Sequence, residues 1–120
     1  RNTRFVTFAR MVFSALVSRK KVRMGELRTQ EVEDMLSVFC SVTDSDTMFA
    51  LMEDLFTIRE IKETSQRLSV ARMLDEGKPY VAIGEATGAS ATTIARVSKA
   101  LNYGSGGYRA ALEVLAGRDE

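Results

Sequence analysis

Histidine and tryptophan are absent from this 120-residue chain, cysteine occurs once, at Cys40, and proline once, at Pro79. Without histidine there is no imidazole base, no Cys-His nucleophile pair and no His-ligated zinc. One cysteine excludes an internal disulfide framework and makes a reducing, cytoplasmic setting the expectation. Long apolar runs are lacking too. The segment Met11 to Val17 is too short to cross a bilayer, and Arg10 and Arg19 bracket it. The cluster Arg19-Lys20-Lys21-Val22-Arg23 stands where an export signal would need small residues for cleavage. No membrane partner, no metal and no enzymatic activity are expected.

Acidic residues are missing from one end. Residues 1–25 hold seven of the seventeen basic side chains (Arg1, Arg4, Arg10, Arg19, Lys20, Lys21, Arg23) and none of the sixteen acids. A basic head on an acidic body grips a polyanion locally rather than by overall attraction. Phe5, Phe8, Ala9, Val12, Phe13 and Leu16 fall on one face of a helix expected near residues 4–18. Residues 1–23 read as a basic amphipathic extension and 24–120 as the main domain. The head fits a DNA arm, a membrane-surface helix, a solvated tail, or an upstream extension of a chain that starts at Met24.

What is present is an ordinary globular mixture, 45% hydrophobic and 28% charged, of a length that suits one core. Nothing alternates with the period of a strand, whereas the apolar period of 3.6 recurs throughout, so the fold class is all-α. Thr29 caps a helix ending near Ser41, with Val32, Met35, Leu36, Phe39 and Cys40 as its apolar stripe, and Cys40 reads as a small core residue. A helix from Asp44 or Ser45 is expected to bury Met48, Phe49, Leu51, Met52, Leu55 and Phe56, an arc wide enough to imply more than one neighbour, a second subunit being the candidate. Thr57-Ile58-Arg59-Glu60 is a capping box opening a helix that runs through Leu68, Ala71 and Leu74 to a stop at Gly77. Two shorter helices follow, about Pro79–Thr87 and from a Ser90 cap through Leu101. A flexible joint over 102–107 then precedes an apolar stripe of Tyr108, Ala111, Leu112 and Leu115. Two small signals fail: Asp44-Ser45-Asp46 lacks a calcium loop's glycine and glutamate, and the glycines at 104–107 lack the strand and lysine of a phosphate loop.

The informative stretch runs from Tyr80 to Val97. Two short helices joined at Gly88 make a helix-turn-helix, with Ile83, Ile94 and Val97 as its core and Gly84 admitting the close approach of the second helix. That second helix is expected to expose Ala89, Ser90, Thr92, Thr93, Arg96 and Lys99 to duplex DNA, and Lys78 is counted with them. From Leu55 to about Leu115 the chain resembles the Trp repressor superfamily, and more closely its YerC/YecD-like branch. The resemblance rests on Thr57-Ile58-Arg59-Glu60, Ala71-Arg72-Met73-Leu74-Asp75-Glu76-Gly77, Thr87-Gly88-Ala89-Ser90 and Leu101-Asn102-Tyr103-Gly104-Ser105-Gly106-Gly107-Tyr108.

The resemblance implies a Trp-repressor-like helical bundle forming an intertwined homodimer on operator DNA, and hence a repressor of transcription. It also implies a candidate effector pocket at Arg67, Arg96, Val97 and Ala100. The first two match the arginines that clasp tryptophan in the family's best-known member. Val97 stands where the family has a glycine and Ala100 where it has a serine, so tryptophan is disfavoured as the effector and Val97 is expected to plug the cleft. Arg67 is expected to pair with Glu63 one turn earlier. The rival from another class is a dimeric helical scaffold that does not bind DNA.

Overall fold

The computed structural model describes residues 26–119; the helix expected near 4–18, the cluster at 19–23 and the boundary at residue 23 lie outside them. The described residues form helices and no strand: α1 (Gln30–Ser41), α2 (Ser45–Leu55), α3 (Ile58–Asp75), α4 (Tyr80–Thr87), α5 (Ala91–Tyr103) and α6 (Gly107–Asp119). The all-α class holds. The chain divides after Leu55 into two units, one ending there and one beginning at Phe56.

The first three helix starts have a chemical reason. Thr29 Oγ1 accepts a hydrogen bond from the Val32 amide at 3.3 Å, and Glu31 and Glu33 sit in the first turn of α1, where the helix dipole favours them. The Asp44 carboxylate accepts from the Thr47 amide and the Thr47 hydroxyl, both at 2.8 Å, and those bonds hold it below the usual carboxylate range. At α3 the expected capping box closes: Glu60 donates its amide to Thr57 Oγ1 at 3.1 Å, and Thr57 donates its own to Glu60 Oε1 at 2.9 Å. The backbone bond from Thr57 and its side chain together keep the Glu60 carboxyl low. The far end of α3 stops with Gly77 donating to Leu74 and Lys78 to Met73, each at 3.0 Å.

In the first unit the single chain does not bury the apolar stripes of α1 and α2. No residue of α1 or α2 is buried; Phe49 remains 54% and Leu55 50% exposed, and Cys40 is exposed rather than in a core. Two helices of 12 and 11 residues have too little surface to enclose the apolar stripes of both. Their side chains line an open groove of about 490 Å³ instead, walled by Val32, Met35, Val38, Phe39, Leu51 and Leu55. Phe56 lies outside α2, which ends at Leu55.

The second unit has the core. Val70 and Ala71 of α3, Ile83 of α4, and Ile94 and Val97 of α5 pack together with Ala89, and Met73, Leu74 and Tyr108 cover their edge. Burying each large aliphatic side chain contributes about 1.5–3 kcal/mol. Val70 escaped the sequence reading although it is fully buried. Arg109 clamps α6 to its neighbours, donating to Asp75 at 2.6 Å and to Asn102 at 3.2 Å. α5 runs to Tyr103 rather than Leu101 and α6 starts at Gly107, so the joint is 104–106 and not 102–107. Pro79 caps α4 from outside instead of opening it.

The two glycines of the motif differ in kind. Gly88 has φ +75°, the left-handed conformation that L side chains resist, and its amide closes α4 onto Gly84 at 2.9 Å. Gly84 is helical, and a Cβ there would lie 3.5 Å from the Ala89 carbonyl and 4.0 Å from Ile94 Cδ1, which is ordinary contact. The close approach therefore does not require glycine. Gly84→Ala is expected to stabilise the fold by about 0.8–1.0 kcal/mol through helix propensity. Gly88→Ala is expected to cost about 1–2 kcal/mol. Urea midpoints at unchanged slope check both, and a lower midpoint for Gly84→Ala would contradict the geometry.

Candidate functional site

The site is built on α5. Its sequence places Ile94, Val97 and Leu101 on one stripe, all buried, and Thr92, Arg96 and Lys99 on another, all exposed. Hydrophobic contact with α3 and α4 thus fixes the first stripe and, through the helix geometry, presents the second to solvent. The exposed stripe carries a hydroxyl, a guanidinium and an ammonium, with the small side chains Ala95 and Ala100 flanking it.

The N-terminus of α5 is held by side chains. Ser90 Oγ accepts from the Thr93 amide at 3.1 Å and donates to the Thr93 hydroxyl at 3.0 Å, so Thr93 is half-buried and partly committed to the cap. Thr87 donates its hydroxyl to the Ile83 carbonyl at 2.7 Å and receives the Ala89 amide at 3.2 Å. From α3, Gln66 donates Nε2 to the Thr87 carbonyl at 3.0 Å, which ties the turn to the long helix. Gln66 is a residue the sequence reading missed; its partner lies 21 positions away, and no local pattern announces it.

The expected contact residues separate accordingly. Ser90, Thr92, Arg96 and Lys99 are exposed, and Lys78 is exposed beyond the end of α3. Ala89 is corrected: it precedes α5 and is 8% exposed, because its methyl group fills the core under the turn. Of the candidate effector residues, Val97 is a core side chain at 2% exposure, whereas Arg67, Arg96 and Ala100 are exposed. The pairing of Arg67 with Glu63 is also corrected. Glu63 bonds Arg59 at 2.8 Å, and that contact raises the Arg59 pKa, while Arg67 donates to Thr64 Oγ1 at 3.3 Å. Either arginine can reach Glu63 by one helical turn, and sequence spacing does not choose between them.

Among the described residues there is no cluster of histidine, cysteine, aspartate and glutamate able to hold a metal ion. No described helix is long and apolar enough to cross a membrane.

Comparison with known proteins agrees with this geometry. Residues 28–116 match the Trp repressor protein family. The chain is 41% identical over 92 residues to a Bacillus subtilis (strain 168) protein described as uncharacterized protein YerC, covering 77% of this chain and 88% of that one. It is similar to the crystal structure of a TrpR-like protein from Eubacterium eligens ATCC 27750, with a TM-score of 0.73 and 44% identity over 77% of this chain and 95% of the other.

Val97 touches a tightly shared core, so its removal should be felt as lost packing. Val97→Gly is expected to lower stability by about 3 kcal/mol, from cavity formation and a glycine inside a helix. Chemical denaturation measures this, and a neutral result would place Val97 outside the core.

Proposed function

The chain belongs to the Trp repressor family, in its YerC-like branch, and we propose that it is a cytoplasmic, sequence-specific DNA-binding regulator of transcription, a dimeric repressor acting without tryptophan. It works as a binding protein rather than an enzyme. The observation that carries the reading is the division of α5 into a buried stripe and an opposite stripe of Thr92, Arg96 and Lys99. A helix held by its back leaves its front free to enter a major groove. Arg96 supplies the one side chain of the stripe suited to bidentate recognition of guanine, Thr92 a hydroxyl and a methyl for base edges, and Lys99, Lys78 and Ser90 the phosphate contacts. Arg67 remains at the surface, and Val97 fills the space a ligand would take, so the reading head is set by packing alone.

The dimer reading rests on the first unit. The exposed apolar side chains Met35, Val38, Phe49 and Leu55 need cover, and a second copy of the chain supplies it. In such a dimer the two α5 helices lie about 34 Å apart, one turn of duplex.

Selection of bound sequences from a random duplex pool tests the first part. A triple variant with Thr92, Thr93 and Arg96 changed to alanine is expected to lose preference for the selected sites while keeping its helicity. Each good bidentate base contact is worth about 1–3 kcal/mol. Added tryptophan should leave the wild-type affinity unchanged. An unaltered preference in the triple variant would sink the assignment of α5 as the reading element and favour the scaffold.

Sedimentation tests the second part. The wild-type chain is expected to run as a dimer at micromolar concentration and Phe49→Glu as a monomer. A monomeric wild-type chain would overturn the dimer.

A further inference from the structure

A second polar feature borders the turn of the motif. Lys62, Ser65, Gln66 and Ser69 of α3, together with Thr87 at the end of α4, line an open cleft of about 390 Å³ with no carboxylate in its wall. We propose that this cleft seats a phosphate-class oxyanion, a duplex backbone phosphate beside the groove that α5 enters. The proposal rests on the DNA-binding reading given above and adds a contact from α3, outside the motif itself.

The free donors fall in register. Lys62, Gln66 and Ser69 are spaced i, i+4 and i+7, one face of α3. Among the described residues Lys62 makes no ion pair, and the Ser69 hydroxyl has no hydrogen-bond partner. Gln66 spends one N–H on the Thr87 carbonyl and keeps its second donor. The other two lining hydroxyls are already used: Ser65 donates to the Lys62 carbonyl at 3.0 Å and Thr87 to the Ile83 carbonyl. An ammonium, an amide N–H and a hydroxyl thus line one cleft, and each is a donor for a phosphate oxygen.

Position makes the duplex the better source. Thr87 stands three residues before Ser90, the cap of the 13-residue helix α5, whose first turn carries no acidic side chain. The positive end of that helix adds to the attraction for an anion near the turn. A free phosphate ester offers the same oxygens and is the other source of this chemistry.

The test uses the full chain, with Lys62→Gln and Ser69→Asp as separate variants. Both positions are exposed, and circular dichroism is used to check that the variants fold. Duplex affinity is measured against salt concentration. A lysine that neutralises one phosphate contributes about 0.9 to the slope of log K against log salt. Lys62→Gln is expected to lower the slope by about 0.9 for each protomer on the duplex and to weaken selected and random duplexes by the same factor. Ser69→Asp should weaken both further.

In parallel, inorganic phosphate is titrated while the backbone amides of residues 62–69 and 87 are followed by NMR. If the duplex slope is unchanged in both variants but phosphate shifts these amides in the wild type and not in Lys62→Gln, the oxyanion is a free phosphate and the site stands. If neither the slope nor the amides respond, the proposal is overturned. If the wild-type chain binds no duplex, the DNA-binding reading fails on its own account, and the phosphate titration alone decides the cleft.

Discussion

The second unit depends on one small apolar contact, the burial of Ile83, Ile94 and Val97 against Val70 and Ala71. Three helices meet there, and each supplies only one or two side chains. Removing any one leaves the others without close-packed partners, because so few residues share the work. The same contact sets the rotation of α5 about its own axis. A buried stripe at 94, 97 and 101 obliges 92, 96 and 99 to face solvent, so the core and the candidate reading surface are two faces of one constraint.

Around that contact the turn is defined by hydrogen bonds more than by apolar area. Thr87 is joined to Ile83, Ala89 and Gln66, and Ser90 is joined to Thr93. Gly88 allows the backbone reversal between them. The result is a stiff corner in which the start of α5 is oriented from α3 as well as from α4. Its polar periphery is the natural place for contacts that position a duplex, while the exposed stripe of α5 supplies those that distinguish sequence.

The first unit presents the opposite situation. Its helices are well capped, by Thr29 and by Asp44, yet their apolar stripes end at an open groove. Residues 26–55 carry eight acidic side chains and a single basic one, Arg28. Local signals thus mark where these helices begin, but helices this short gain most of their stability from packing, and among the described residues none of theirs is buried. Self-association of two such units would bring like charges together, so apolar contact between the copies has to outweigh their repulsion.

The helix ends were legible in the sequence because capping is local chemistry. Thr29, the box of Thr57 with Glu60, Ser90, Gly77 and Gly88 each act within a few residues of themselves, and the structure places each where its type suggests. The motif core at Ile83, Ile94 and Val97 was legible for a similar reason, since a helical stripe is a periodic property of the chain. Tertiary structure decided the rest. Whether Cys40 and Phe49 are buried depends on a covering surface that periodicity does not reveal. Ala89 looked available for contact as a small residue beside a cap, and turned inward because the corner left a space for its methyl group. Glu63 had two arginines within one turn, and Val70 and Gln66 took roles set by partners on α4 and the turn. The sequence by itself determined where helices begin, where they stop and which stripe of each is apolar. Only packing decided which stripes found cover, because burial belongs to two surfaces and a sequence describes them one at a time.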